Sequence, residues 1–468
     1  GQLLDSVDLE RDAVVVVAPS SRSGRVAHLN LFAVHAPRMG TGLLRSSVTR
    51  QNSFVSIVDV APTVAALAGT PQDEGEVEGR PVTISRRGGT PEGRLETLVD
   101  ANTDAVFRDR ILFPFAATFI TLQIVLSAVF AWSLWKTRKF PVVIEIGTLA
   151  LLACLPLTYW AALMPFSEWG YPAYFSFTLG GAVCIAMALH RWARHPLLPL
   201  TILLGAIIAT AAISVMILDS RLQLSTVFGD SPIIAGRFAG INNVTFSQLM
   251  VAAIVLAVFL AHQLPRRTSL PLIAALLGGV LLVDVAPMWG ADVGGILAGV
   301  PGLALTFWLL SGRRVRLRHI LICGLATAAA VMLLGALDLA RDPSQRTHLG
   351  RLFERVASEG WDGLFTIVDR KRRAMVTSLS ESVWRFMVVP TALAVGYLAW
   401  RAPANLHGLR QRIPELDSGL VGIAAVGALG FALNDSGVAV PGVMLGVAVP
   451  VVTYLTVRLS REPEEDTA

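Results

Sequence analysis

The sequence predicts a mainly α-helical, polytopic membrane protein with about 11 transmembrane helices, following a small N-terminal α/β segment. Three observations predict it. Apolar residues fill 53% of the 468 positions and charged residues only 16%, against about a quarter charged in a soluble domain. The apolar residues come in runs close to the ~20 residues that cross a ~30 Å hydrocarbon core. Arginine and lysine sort into alternate loops between those runs.

Of the 39 basic residues only Lys136, Lys139 and Lys371 are lysines, a usage that fits a GC-rich bacterial genome. The net charge of +5 sits in short loops between apolar runs, where lipid headgroups account for it; no nucleic-acid surface is predicted. Cys154, Cys184 and Cys323 all fall inside apolar runs, so they read as packed or lipid-facing residues and not as a disulfide framework.

Residues 1–108 form the mixed segment. Ala13–Ala18 and Leu29–His35 read as strands, the first as a buried parallel strand because it is continuously apolar. Asp59-Val60-Ala61-Pro62-Thr63 opens a short helix, with an acid at the cap, proline in the first turn and Gly69 past the end. Residues 70–92 read as a loop and 93–108 as a polar, helical approach to the membrane. Spans are then expected at 111–135, 141–164, 172–190, 197–218, 244–263, 270–287, 293–311, 319–340, 385–400, 418–434 and 438–458. Gly290, Gly294, Gly295 and Gly299 have spacing that lets helices approach closely. Gly299-Val300-Pro301-Gly302 is expected to interrupt the seventh span, with Pro390 and Pro441 near others.

The short loops after odd-numbered spans carry fourteen basic residues and those after even-numbered spans carry two, Arg221 and Arg237. Positive loops stay in the cytoplasm, which puts residues 1–108 outside and the tail 461–468 inside a bacterial plasma membrane. Residues 109–460 are the transmembrane domain. Its loop 341–383 is expected outside despite its basic residues, as amphipathic helices lying on the outer leaflet.

This sidedness gathers polar residues at the outer boundary: Asp219, Asp230, Arg237, Asn242 and Asn243; Asp284 and Asp292; Asp338, Arg341, Asp342, Arg346, His348 and Arg351; Asn434 and Asp435. Carboxylates at membrane depth cost roughly 2.5–3.5 kcal/mol each, so such residues pair or line a wet site. Guanidinium forks hold phosphate, while a carboxylate or imidazole moves protons. Asp292, Asp342 and His348 are the candidate acid–base groups. Asp230, Arg237, Asn242, Asn243, Arg341, Arg346, Arg351, Asn434 and Asp435 are the candidate substrate-binding groups. Carboxylates can also hold a divalent cation, but no HExxH or CxxC spacing indicates a metal or other cofactor.

Residues 12–69 resemble the C-terminal end of the alkaline phosphatase superfamily. The strand AVVVVAPSS, the stretch HLNLFAVHAPRMGTGLL and the Asp59-Val60-Ala61-Pro62-Thr63 helix carry the likeness. His28 falls where the family often has a metal histidine. The family's Asp-His metal pair is replaced by Pro19-Ser20-Ser21, so the partners of His28 are absent. The resemblance implies that an N-terminal half or a partner chain completes the domain, and that such a protein acts on envelope lipids or polymers outside the membrane. The expected function is to bind, and transfer or process, a phosphate-bearing lipid or lipid-linked glycan at the outer face, with membrane lipids as partners. The alternatives are a transporter or flippase for such a lipid, and a non-catalytic docking platform with a degenerate phosphatase-like module.

Overall fold

A computed structural model describes residues 7–19, 27–37, 39–70, 79–85, 89–137, 139–234, 237–313, 315–340, 404–434 and 436–461, with parts of 350–391. In the N-terminal segment β1 (Val14–Val17) pairs antiparallel with β2 (Phe32–His35), and β3 (Leu43–Arg45) with β4 (Thr83–Ser85). The expected buried parallel strand is therefore corrected. The 14 residues between β1 and β2 are near the minimum for a parallel crossover, whereas an antiparallel return needs far fewer. A sheet of only two strands also leaves its valines partly exposed.

Helix α1 (Val60–Leu67) forms at the Asp-Val-Ala-Pro-Thr motif. Asp59 is fully buried, and its carboxylate accepts from the Ser56 and Arg80 N–H groups, each at 3.0 Å. The Thr63 hydroxyl donates to the Asp59 carbonyl (2.6 Å) and accepts from the Val82 N–H (3.1 Å). The motif thus ties the helix to the chain entering β4. Gly79 allows that approach, since a Cβ there would lie 1.8 Å from the Val58 carbonyl oxygen.

The rest is helical: α2 (Pro91–Trp132), α3 (Val142–Trp160), α4 (Phe166–Phe175), α5 (Gly181–Trp192), α6 (Leu198–Met216), α7 (Asn243–Gln263), α8 (Arg266–Val285), α9 (Val293–Leu310), α10 (Leu317–Leu339), α11 (Ala404–Arg412), α12 (Leu416–Leu433) and α13 (Ala439–Leu459). Among the described residues nine helices are long and apolar enough to cross a membrane, with α4 and α5 joined through residues 176–180 as one of them. The chain is therefore a multi-pass, mainly helical protein of membrane-like architecture. The expected span at 293–311 forms α9, a shorter apolar helix, and most of 385–400 lies outside the described residues.

Helix α2 merges the polar approach and the first span into 42 residues, about 63 Å at 1.5 Å per residue. Thr90 caps it by accepting from the Gly93 N–H at 3.2 Å, with Pro91 in the first turn. Gly170 (φ +80°) breaks the chain just before Pro172, where the third span was expected to start. The expected interruption at Pro301 does not occur, because α9 runs through it. Membrane helices tolerate proline where neighbouring helices re-satisfy the freed backbone groups. Close glycine packing is real at Gly302, where a Cβ would lie 2.2 Å from Val426, and at Gly422, 2.0 Å from Thr306 Oγ1.

Helices α7 and α13 form the buried centre of the bundle, with α3 beside them, while α5, α8 and α10 turn most of their apolar side chains outward. Cys154 is buried and Cys184 exposed, both on such apolar faces.

The two ends differ chemically. At the arginine-rich end the buried Glu145 pairs with His190 Nδ1 (2.8 Å), Arg458 Nη1 (3.4 Å) and Arg461 Nη1 (2.8 Å). Arg461 also donates to the Phe140 carbonyl at 2.6 Å, so four chain segments are joined there. His262–Glu415 (3.2 Å) and Arg410–Asp417 (2.9 Å) lie at the same end. Trp132, Trp135 and Trp192 stand exposed beside it, as an interfacial aromatic belt would.

Candidate functional site

The opposite end is built around residues 217–242. Arg108, buried on α2, donates from Nε to the Thr226 carbonyl (3.0 Å) and from Nη2 to the Gly229 carbonyl (2.7 Å), and pairs with Asp109 at 2.9 Å. Asp109 Oδ2 accepts from the Ser231 hydroxyl at 3.0 Å, and Thr226 Oγ1 donates to the Thr158 carbonyl at 2.6 Å. Helix α2 therefore grips the loop from one side and α3 from another. Neither Arg108 nor Asp109 was a sequence candidate, since they read as the end of the polar approach and the first residue of the transmembrane domain.

The loop then meets the α8–α9 turn. The Ile241 N–H donates to the Gly290 carbonyl at 2.8 Å. Gly240 (φ +94°) makes this possible, because a Cβ there would lie 2.2 Å from that carbonyl oxygen. Arg237 donates to the Ile241 carbonyl, and its Nη2 lies 3.6 Å from Asp292 Oδ1. Asp292 is 2% exposed and precedes α9 as its N-cap residue. Asp284, at the last turn of α8, is fully buried, and neither carboxylate oxygen has a hydrogen-bond partner among the described residues.

The third contributor is the α12–α13 turn. Asn434 Nδ2 donates to Asn243 Oδ1 at 2.7 Å, and Asn243 Nδ2 donates to the Ser436 hydroxyl. Gly294 links this pair to the acid, since its Cβ would lie 3.2 Å from Asn434 Nδ2 and 3.5 Å from Asp292 Oδ1. Asn242 does a structural job: Oδ1 accepts from the Thr245 N–H (2.8 Å) as the cap of α7, and Nδ2 donates to the Phe228 carbonyl (3.2 Å).

Thus Arg237, Asn243, Asp292 and Asn434 come together, with Asp284 beneath them and Asp230 on the flanking loop. Arg341, Asp342, Arg346, His348, Arg351 and Asp435 lie outside the described residues. Asp338 is buried, and its Oδ2 accepts from the Gly350 N–H at 2.8 Å. His28 is an exposed residue whose Nδ1 lies 2.8 Å from the Leu29 carbonyl oxygen. Among the described residues no group of three or more His, Cys, Asp or Glu side chains could hold a metal.

The N-terminal segment sits on this same end. Arg50 donates to the Pro287 (3.3 Å) and Met288 (2.8 Å) carbonyls, and Gln51 Nε2 to those of Asp219 (2.7 Å) and Phe238 (3.1 Å). Phe54 packs on Phe238 with ring centroids 5.8 Å apart. From the other side the Ser378 hydroxyl accepts from the Val438 N–H (3.0 Å), and Trp384 packs on Phe228 at 5.7 Å. Neither Arg50 nor Gln51 is marked out by the spacing of polar residues.

Burial pushes Asp230 up from 3.8 to about 6, against the pull of Arg237, Asn242 and Arg108. The folded protein therefore binds this proton more tightly than the unfolded chain does. That stabilisation is complete below pH 4 and is lost as pH rises through 6. We expect the melting temperature of the unsubstituted protein to fall between pH 4.5 and 7, by an amount worth ~2 kcal/mol. Asp230→Asn should flatten that slope in a pH series of melting curves; an unchanged slope would assign the effect to another group.

Comparison with known proteins gives no match: no family model, no curated protein and no solved structure matches this chain.

Proposed function

We propose that this chain is a bacterial cell-envelope membrane protein that binds, and transfers or processes, a phosphate-bearing lipid or lipid-linked glycan at the outer face. The observation that carries the reading is Arg237. Its half-buried guanidinium sits where the 217–242 loop, the α8–α9 turn and the N-terminal segment meet. Asp292 and two backbone carbonyls orient that fork, and a guanidinium fork suits a phosphate group. The likeness of residues 12–69 to the alkaline phosphatase superfamily, the outward placing of the N-terminal segment and the cytoplasmic tail all belong to this proposal.

Transport of the same lipid is less well supported. Glu145, the other deep acid, is held by three basic side chains at the far end. An apolar void in the bundle, lined by Val255, Val258, Leu416 and Ile423, offers about 10 Å³. That is room for one water. A docking platform is the second reading, favoured by Arg50, Gln51 and Phe54 seating the N-terminal segment on the membrane domain.

Native mass spectrometry of the full chain extracted from its own membrane tests the proposal. The unsubstituted protein should carry a phosphate-bearing lipid that excess glycerophosphate displaces, and Arg237→Gln should retain at least tenfold less. Arg237→Lys, which keeps charge but not the fork, should fall between. A folded Arg237→Gln protein with undiminished lipid would remove the reading and leave the docking platform.

A further inference from the structure

We propose that Asp284 and Asp292 together bind one small monovalent cation, of the sodium class, at the α8–α9 turn. Asp284 is the starting point. A carboxylate with no exposed surface and no hydrogen-bond partner among the described residues carries a desolvation cost that no hydrogen bond there offsets. Its Oδ2 points to the first turn of α9, where a Cβ on Gly295 would lie 2.3 Å away. Asp292 Oδ2 faces the same point from 2.8 Å. Two buried carboxylates thus converge on a position that glycine alone leaves open.

Charge selects the ligand. Arg237 approaches Asp292 at Oδ1, on the other oxygen from the one that faces Gly295. The N-terminus of α9 adds roughly half a positive charge and the C-terminus of α8 roughly half a negative one. Among the described residues, two carboxylates against one guanidinium and two opposed dipole charges leave about one negative charge. A monovalent cation closes that remainder and a divalent one overshoots it. Hard carboxylate oxygens, with no thiolate or imidazole among the described residues of the cluster, suit an alkali ion better than a transition metal. The crowding around Gly295 favours a small one. Helix C-terminal ends at membrane depth coordinate sodium in cation-coupled membrane proteins, and Asp284 lies in the C-terminal turn of α8. The site stands whether or not a lipid binds at Arg237.

The test is thermal melting of the purified full chain in detergent, with NaCl, LiCl, KCl or choline chloride at one ionic strength and pH 7.5. Sodium or lithium should raise the melting temperature saturably, by about 3–5 °C at a hundredfold excess over Kd. Potassium and choline should not. Asp284→Asn removes the charge that the ion neutralises, so this variant should melt in choline near the sodium value and lose its ion dependence. Equilibrium dialysis with radioactive sodium should give one ion per chain, and none with Asp292→Asn. No difference among the four salts would overturn the proposal. So would a stabilisation that follows pH alone, which would make the ligand a shared proton, or an Asp284→Asn variant that keeps its sodium response.

Discussion

Replacing Arg108 by alanine is expected to lower stability by ~3 kcal/mol, a loss read as a lower melting temperature in detergent. The side chain is 7% exposed, and three of its donors serve the Thr226 carbonyl, the Gly229 carbonyl and Asp109. Alanine leaves both carbonyls without that donor and Asp109 with a partly buried charge. Arg108→Lys should recover only part, because an ammonium cannot span all three acceptors in the plane that the guanidinium uses. The variant should also expose residues 226–231 to limited proteolysis, since Asp109 loses the cation that orients it toward Ser231. Melting within 1 kcal/mol of the unsubstituted protein would mean that the Thr226–Thr158 bond alone suffices.

The second large effect is expected at the opposite end. Glu145→Ala removes the one carboxylate among the described residues that faces Arg458, Arg461 and His190, and like charges then crowd together. Breaking such a pair by deleting one partner costs about 3 kcal/mol or more when the survivors are buried. Here the arginines are 23% and 32% exposed, so ~2–3 kcal/mol is expected. Glu145→Gln keeps an acceptor but not the charge and should lose about half as much. Added salt should rescue little, because Glu145 itself is only 1% exposed and ions reach it poorly. Full rescue at 0.5 M salt would show that the cluster behaves as a surface pair.

Much of this architecture was legible in residue order. Run length placed helices at 141–164, 197–218, 244–263 and 438–458, and the structure has α3, α6, α7 and α13 there. Loop arginines foretold that Arg237, Asp292 and Asn434 share one end, because alternate ends of packed helices must lie together. What was not legible depends on rotation about helix axes and on pairing across the chain. Nothing in residues 93–108 says which face Arg108 takes once α2 is continuous. Four consecutive valines fit a parallel or an antiparallel strand equally, and only the partner decides. Gly295 illustrates a third limit. Its spacing to Gly299 reads as helix packing, yet its Cα faces two carboxylates, whereas Gly299 does face Leu281, Phe246 and Met250. Asn242 reads as a ligand because it is polar and near a boundary, but a cap needs the same residue at the same place.

Helix α2 has one further consequence. The helix runs unbroken from Pro91 to Trp132, losing only the backbone donor at Pro114, so the stretch that Asn102 ties to the Leu29 N–H (2.9 Å) and the stretch packed among α3 and α13 form a single rod. A rod cannot be twisted at one end and stay put at the other without losing turns. Any swivel of the outer segment about this axis would swing Arg108 with it and pull on the Thr226 and Gly229 carbonyls, a mechanical link written into the helix and needing no hinge.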